Sequence, residues 1–178
     1  MRIIDVKFRK NIIKYIFQCI LATLTVLAVL IFLDVITRPA IITALGASAF
    51  IVFTMPNMYS SDPRRLIGGY SVGIIIGILF FFISNLETFS VISENSKMIL
   101  VIFGAIAVGV SIFIMAITNT EHAPAAGIAL GLVINTWDYI TIIFIIIAII
   151  WMTTVKKLLR PYLMDLTSPN VLLTSKKE

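Results

Sequence analysis

Four stretches of the chain are almost wholly apolar and carry no charged residue: 15–33, 66–83, 98–117 and 139–155. A helix across a hydrocarbon core about 30 Å thick needs about 20 such residues, so each stretch is long enough, or nearly so, to span a membrane. Two further apolar segments, 39–55 and 124–134, are shorter. At 1.5 Å per residue they rise only about 25 Å and about 16 Å. Irregular backbone at membrane depth is tolerated only where protein or a water-filled cavity surrounds it. The short segments are therefore expected in the interior of a bundle, at a place where something other than packing happens.

Those two segments also begin alike. Pro39-Ala40 is followed by Ala44-Leu45-Gly46, and Pro124-Ala125 by Ala129-Leu130-Gly131, at one constant offset. Paired short segments marked by Gly and Pro, in corresponding places of two halves, are the best sequence pointer to a transport site.

The placement of charge sets the number of crossings. Arg2, Lys7, Arg9, Lys10 and Lys14 precede the first apolar run, and Lys156, Lys157, Arg160, Lys176 and Lys177 follow the last. Positive residues collect on the cytoplasmic side, so both termini are expected there, in a bacterial cell membrane. Arg64 and Arg65 reach the same side only if 39–55 crosses, while the loop 84–96, with Glu87 and Glu94 and no basic residue, suits the other side. Six crossings satisfy every basic cluster. The expected fold is all-α: a polytopic transmembrane bundle of six segments, arranged as a 3+3 inverted repeat with two short or broken middle helices. Its halves would be 15–83 and 98–155 within a membrane domain 15–155, with a basic segment 1–14 before it and a basic tail 156–178 after it.

Composition narrows the function further. Hydrophobic residues make up 60% of the chain, charged residues 13%, and the mean hydropathy is +1.07, which excludes an ordinary soluble domain. The net charge of +5 lies at span ends, so membrane lipids rather than nucleic acid are the expected partners. The first apolar run is longer than the 7–15-residue core of a signal peptide and reads as an uncleaved span. Cys19, the one cysteine, sits inside that span, which leaves no intramolecular disulfide and no cysteine metal cluster. Acidic residues approach the spans only from their ends, at Asp34, Glu121 and Asp138. With one histidine, no phosphate-binding glycine loop and no zinc-binding histidine pair, the chain reads as neither an enzyme nor a holder of cofactor or metal. Gly69, Gly73 and Gly77 form a stripe that lets another helix approach closely, within the bundle or in a homo-oligomer. Ala105 with Gly109, and Gly127 with Gly131, repeat that spacing. Phe80 to Phe82 are expected to face lipid, with Trp137 and Trp151 near helix ends.

The chemistry that remains lies at two helix starts. Pro39 and Pro124 suit a first helical turn, and just ahead of them stand Thr37-Arg38 and Asn119-Thr120-Glu121-His122. Unpaired N–H groups and a partial positive charge at such a start favour anions. In the inverted arrangement the two starts enter from opposite faces and meet near the midplane. The expected site binds a small anion with Arg38, Ser48, Thr120, His122 and backbone N–H groups. Arg64 is a further contact or gate at the cytoplasmic end of the third span. The alternative is a non-transporting assembly or accessory protein that packs through its glycine stripes.

Gly46-Ala47-Ser48-Ala49, then Asp62-Pro63-Arg64-Arg65-Leu66-Ile67-Gly68-Gly69, then His122-Ala123-Pro124-Ala125-Ala126-Gly127 follow one another along the chain. In kind and order they resemble the HPP family of integral membrane proteins, with its Gly-Ala-Ser-Ala, Gln-Pro-Arg-Asn-x-x-Gly-Gly-His and His-Pro-Pro-Ala-Gly motifs. Arg65 stands where that pattern has asparagine and Tyr70 where it has histidine, and the last motif departs at its first proline and in the spacing to its glycine. The resemblance covers about 43–132. Some members are implicated in nitrite transport, so it implies a transporter or channel for a small inorganic anion, with nitrite as the implied ion.

Overall fold

In a computed structural model, residues 10–32, 39–86 and 96–166 are described, and they form six α-helices with no strand among them. These are α1 (Ile12–Phe32), α2 (Pro39–Thr54), α3 (Pro63–Ser84), α4 (Ser96–Thr118), α5 (Ala123–Ile134) and α6 (Tyr139–Leu159), with single 3-10 turns at Tyr59–Ser61 and Arg160–Tyr162. Four helices, α1, α3, α4 and α6, are long and apolar enough to cross a membrane. The protein is thus a polytopic helical membrane bundle. α2 and α5 have 16 and 12 residues and are the short ones the apolar pattern anticipates.

Burial inverts with length. Large apolar side chains on α1 and α4, such as Ile13, Ile31, Val101, Phe113 and Ile117, point outward, as lipid-facing residues do. On α2 and α5, by contrast, Ile41, Val52, Phe53, Ala125, Ile128 and Leu132 are fully enclosed. Helices too short to span are tolerable because long ones surround them.

Side-chain contacts fix the directions. Gly69, Gly73 and Gly77 of α3 meet, in that order, His122, Ala125 and Ala129, so α3 and α5 run parallel. Ser48, Ala44 and Ile41 of α2 meet His122, Gly127 and Gly131, so α2 and α5 run antiparallel, side by side through the two similar sequence stretches. The helix starts at Pro39 and Pro124 therefore do not meet at the midplane. Each passes the other and lies beside the later turns of its neighbour, because close contact of Ala40 and Ile41 with Gly131 draws the helices together along their length. Extensive packing joins α3 to α4 and α5, α5 to α2 and α4, and α1 to α2, while α6 touches α2 and α3 more lightly and α1 least.

The glycine stripe of α3 is used inside the chain. A Cβ at Gly69 would stand 2.9 Å from the Thr120 carbonyl oxygen, and one at Gly77 3.0 Å from Cα of Ala129. At Gly73 it would overlap the Ala125 carbonyl. Gly73 and Gly77 are thus filled by α5 and Gly69 by the turn leading into it, and a second copy would have to displace both to use them. Gly109 has open space around it instead. Phe80 and Phe81 pack on Phe103 and Trp137, leaving Phe82 as the exposed member of the trio. Trp137 does precede a helix, α6, but Trp151 lies well within it, since α6 continues to Leu159.

Beyond α6 the chain folds back across the bundle. Leu163 and Leu166 are buried, and the Leu166 N–H donates to the Thr54 carbonyl at 2.8 Å. Gln18, itself buried, donates to the carbonyls of Phe53 (2.6 Å) and Met164 (2.9 Å), and its amide oxygen accepts from Met164 N–H. Lys156, read from sequence as a solvated tail charge, is enclosed, and its Nζ donates to the carbonyl and hydroxyl oxygens of Ser61. Residues 156–166 are therefore part of the bundle. Arg64 and Arg65 share this end with Lys156, Lys157 and Arg160.

Candidate functional site

A polar cluster lies in the interior where α2, α3 and α5 converge. Ser48 is on α2, Tyr70 on α3, and His122 is the residue immediately before α5. All three are at most 1% exposed. Tyr70 is seven residues into α3, which puts the cluster about 10 Å below the basic end.

The local sequence accounts for its construction. Asn119 takes a left-handed φ of 56°, which asparagine tolerates. Thr120 N–H then donates to the Met115 carbonyl at 2.9 Å and Asn119 N–H to that of Ala116, the Schellman pattern that ends a helix and reverses the chain. The reversal carries His122 against Gly69, where a larger residue would collide with its Cβ. Pro124 in the first turn of α5 starts the next helix at once. The His122 ring does not cap α5. It turns into the bundle, with Nδ1 3.0 Å from the Ser60 carbonyl and Nε2 2.8 Å from Ser48 Oγ.

A carbonyl only accepts, so Nδ1 carries a proton, and in the neutral ring Nε2 accepts from the Ser48 hydroxyl. Ser48 Oγ in turn lies 2.7 Å from the Tyr70 hydroxyl, which also reaches the Ala44 carbonyl at 3.1 Å. That second acceptor makes the chain reversible. With the ring neutral, Tyr70 donates to Ser48 and Ser48 to His122. With the ring protonated, His122 donates to Ser48, Ser48 to Tyr70, and Tyr70 to Ala44. Every donor finds an acceptor in either state, as a buried polar group requires.

The residues expected from sequence divide. Ser48 and His122 are brought into direct contact. Thr120 lies outside the cluster: its hydroxyl bonds that of Thr118 at 2.8 Å and its methyl packs on Gly68. Arg64 is exposed and so stands outside the enclosed cluster. Arg38 falls outside the described residues. Sequence reasoning passed over Arg65, whose guanidinium is buried (3% exposed) and donates to Glu121 and to Asn119 Oδ1, while lying over the ring of Tyr59.

The family model of the HPP transmembrane region matches residues 7–161, nearly the whole chain and all six helices. The chain belongs to the HPP family. No curated protein and no solved structure matches it. Within this HPP protein the motif positions converge: Ser48, Tyr70 and His122 are each drawn from one of the three motif stretches. The substitution at Tyr70 keeps a hydrogen-bonding group in contact with Ser48, and Arg65 in the same stretch faces the loop before α5.

Proposed function

We propose that this HPP protein moves a small inorganic anion across a membrane, as a channel or carrier, with nitrite as the ion its family resemblance implies. The observation that carries the reading is the enclosed His122–Ser48–Tyr70 cluster between two antiparallel short helices of a membrane bundle. Polar and ionisable groups at membrane depth are costly, and where they occur they mark substrate or proton pathways. A reversible hydrogen-bond chain suits either role.

The inverted repeat belongs to the same proposal. Exchanging α1 with α4, α2 with α5 and α3 with α6 turns each extensive helix contact into another that is present: α3–α5 into α6–α2, α4–α5 into α1–α2, and α3–α4 into α6–α1. The α2–α5 and α3–α6 pairs map onto themselves. With α2 antiparallel to α5, that contact set supports two oppositely directed triplets, and the placement of basic residues supports six crossings with both termini cytoplasmic. Labelling a cysteine at exposed Asn57 from each side tests the orientation, and labelling only from outside would refute it. Ser61 is unsuitable for this, being buried beneath Lys156.

In liposomes the purified protein should pass nitrite and exclude bulky anions. His122→Ala should cut that flux at least tenfold with the protein still expressed. Flux no higher than through empty liposomes would sink the transporter reading. The non-transporting alternative draws on Gly69, Gly73 and Gly77, and α5 and the turn leading into it already occupy them. A hydrolase is favoured by one observation, the 2.8 Å contact of Ser48 Oγ with His122 Nε2, the base being oriented by Ser60. Ser48 is 0% exposed, with Tyr70 on its other side, so a substrate carbonyl has no room to approach. Covalent labelling of Ser48 by a fluorophosphonate probe would reverse that judgement.

A further inference from the structure

Two cations of the basic end, Arg65 and Lys156, are buried; Lys156 is held by Ser61 oxygens, whereas the partners of Arg65 are unequal. Asn119 and the Tyr59 ring enclose it, and one carboxylate oxygen of Glu121, Oε2, takes Nη1. The Glu121 side chain is 49% exposed against 3% for Arg65. A guanidinium held away from water requires an anionic partner, whereas an exposed carboxylate is well hydrated without one. The pair is therefore lopsided: Arg65 needs an anion, and Glu121 can leave. Beside Glu121 and His122 a cleft of about 270 Å³, walled by Ile112, Met115, Ala116 and Ala126, gives room for a few atoms. The cleft is open on the Glu121 side, so that carboxylate has space to move when it leaves Arg65.

We propose that Arg65 is the receiving site for a small planar oxyanion, and that Glu121 occupies it as an internal stand-in until such an ion arrives. The proposal rests on the anion-transport reading and narrows it to a chemical class. The guanidinium fork matches two coplanar oxygens bidentately, a geometry offered by nitrite, nitrate and formate and not by a spherical halide. An incoming oxyanion takes the Nη1 donor that Glu121 releases and the second N–H of Nη2, Asn119 keeping the other. The Glu121 carboxylate swings to water, and the peptide joining Glu121 to His122 shifts with it. Occupancy at Arg65 is thereby linked to the cluster that bonds Ser48.

The test is chemical rescue on detergent-purified full-length protein. Glu121→Ala should lower the melting temperature, and sodium formate or sodium nitrite should restore it. The half-maximal formate concentration should lie at least tenfold below that for the native protein, whose own carboxylate competes. Sodium chloride at the same ionic strength should restore little. Glu121→Gln, which keeps the side-chain volume, should behave in the same way and serves if the alanine variant does not fold. Arg65→Gln combined with Glu121→Gln should abolish the formate response. Equal rescue by chloride and formate, or no greater response in the variants than in the native protein, overturns the proposal. Rescue without nitrite flux in liposomes would leave the Arg65 site standing and remove the transport reading. Flux without rescue would do the reverse.

Discussion

α1 and α4, the first helices of the two halves of the proposed inverted repeat, are seated very differently. α4 presses on α5 closely enough that a Cβ at Gly104 would stand 2.8 Å from Leu130. α1 touches α2 and α6 but leaves open grooves along both seams, of about 530 Å³ beside α2 and about 390 Å³ beside α6. The difference follows from residue size at the seams. Gly69, Gly73 and Gly77 bring α3 onto α5 and carry α4 in with it, whereas α6 offers Ile145, Ala148, Ile149 and Met152 to the same neighbourhood. In lipid there is little hydrophobic force between helices, so close backbone approach decides how tightly they associate. The hydrogen-bonded cluster sits on the tight side, where its distances can be held.

The largest blow to that contrast should come from Gly73→Leu. The new side chain has to enter the Ala125 backbone, and overpacking of this kind costs about 3 kcal/mol. Thermal unfolding in detergent should show a lowered transition or no folded protein. Ser48→Ala comes next. It leaves His122 Nε2 buried without a partner, at about 1–3 kcal/mol, and should lower anion flux in liposomes. Tyr70→Phe leaves the Ser48–His122 bond intact, so its cost should be smaller, about 1 kcal/mol. If Tyr70→Phe proves as costly as Ser48→Ala, the chain is centred on the tyrosine instead. The smallest effect belongs to the loose side. Ala28→Leu extends into the cleft between α1 and α6 and should be neutral, or stabilising by under about 1 kcal/mol. A loss comparable to that of Gly73→Leu would erase the distinction between the two seats.

Much of this was legible in the apolar pattern, because charge-free runs of spanning length have few other meanings. The two short helices were legible by their deficit in length, and Ser48 and His122 as scarce polar residues close to them. What escaped has a common physical origin. Arg65 and Glu121 are far apart in sequence, and a paired arginine at a span end reads first as a topological anchor. Only the Schellman reversal at Asn119, whose left-handed residue is not a glycine, brings the two together. Lys156 and Gln18 were unreadable for a related reason. Their value lies in backbone carbonyls at Ser61, Phe53 and Met164, and a sequence does not announce which carbonyls lack partners. The meeting of helix starts at Pro39 and Pro124 failed because adjacent small residues favour contact along a helix over contact at its tip.

Gln18 has a consequence for how the protein is made. Its amide joins the first helix to the end of the second and to residue 164, near the end of the described chain. Until the ribosome has delivered that last segment, the Gln18 side chain has one of its three bonds, and the Thr54 carbonyl has not yet met Leu166. The first helix is therefore locked in place only by a segment made after all six helices, so the order of synthesis and the order of closure are opposite for this corner of the bundle.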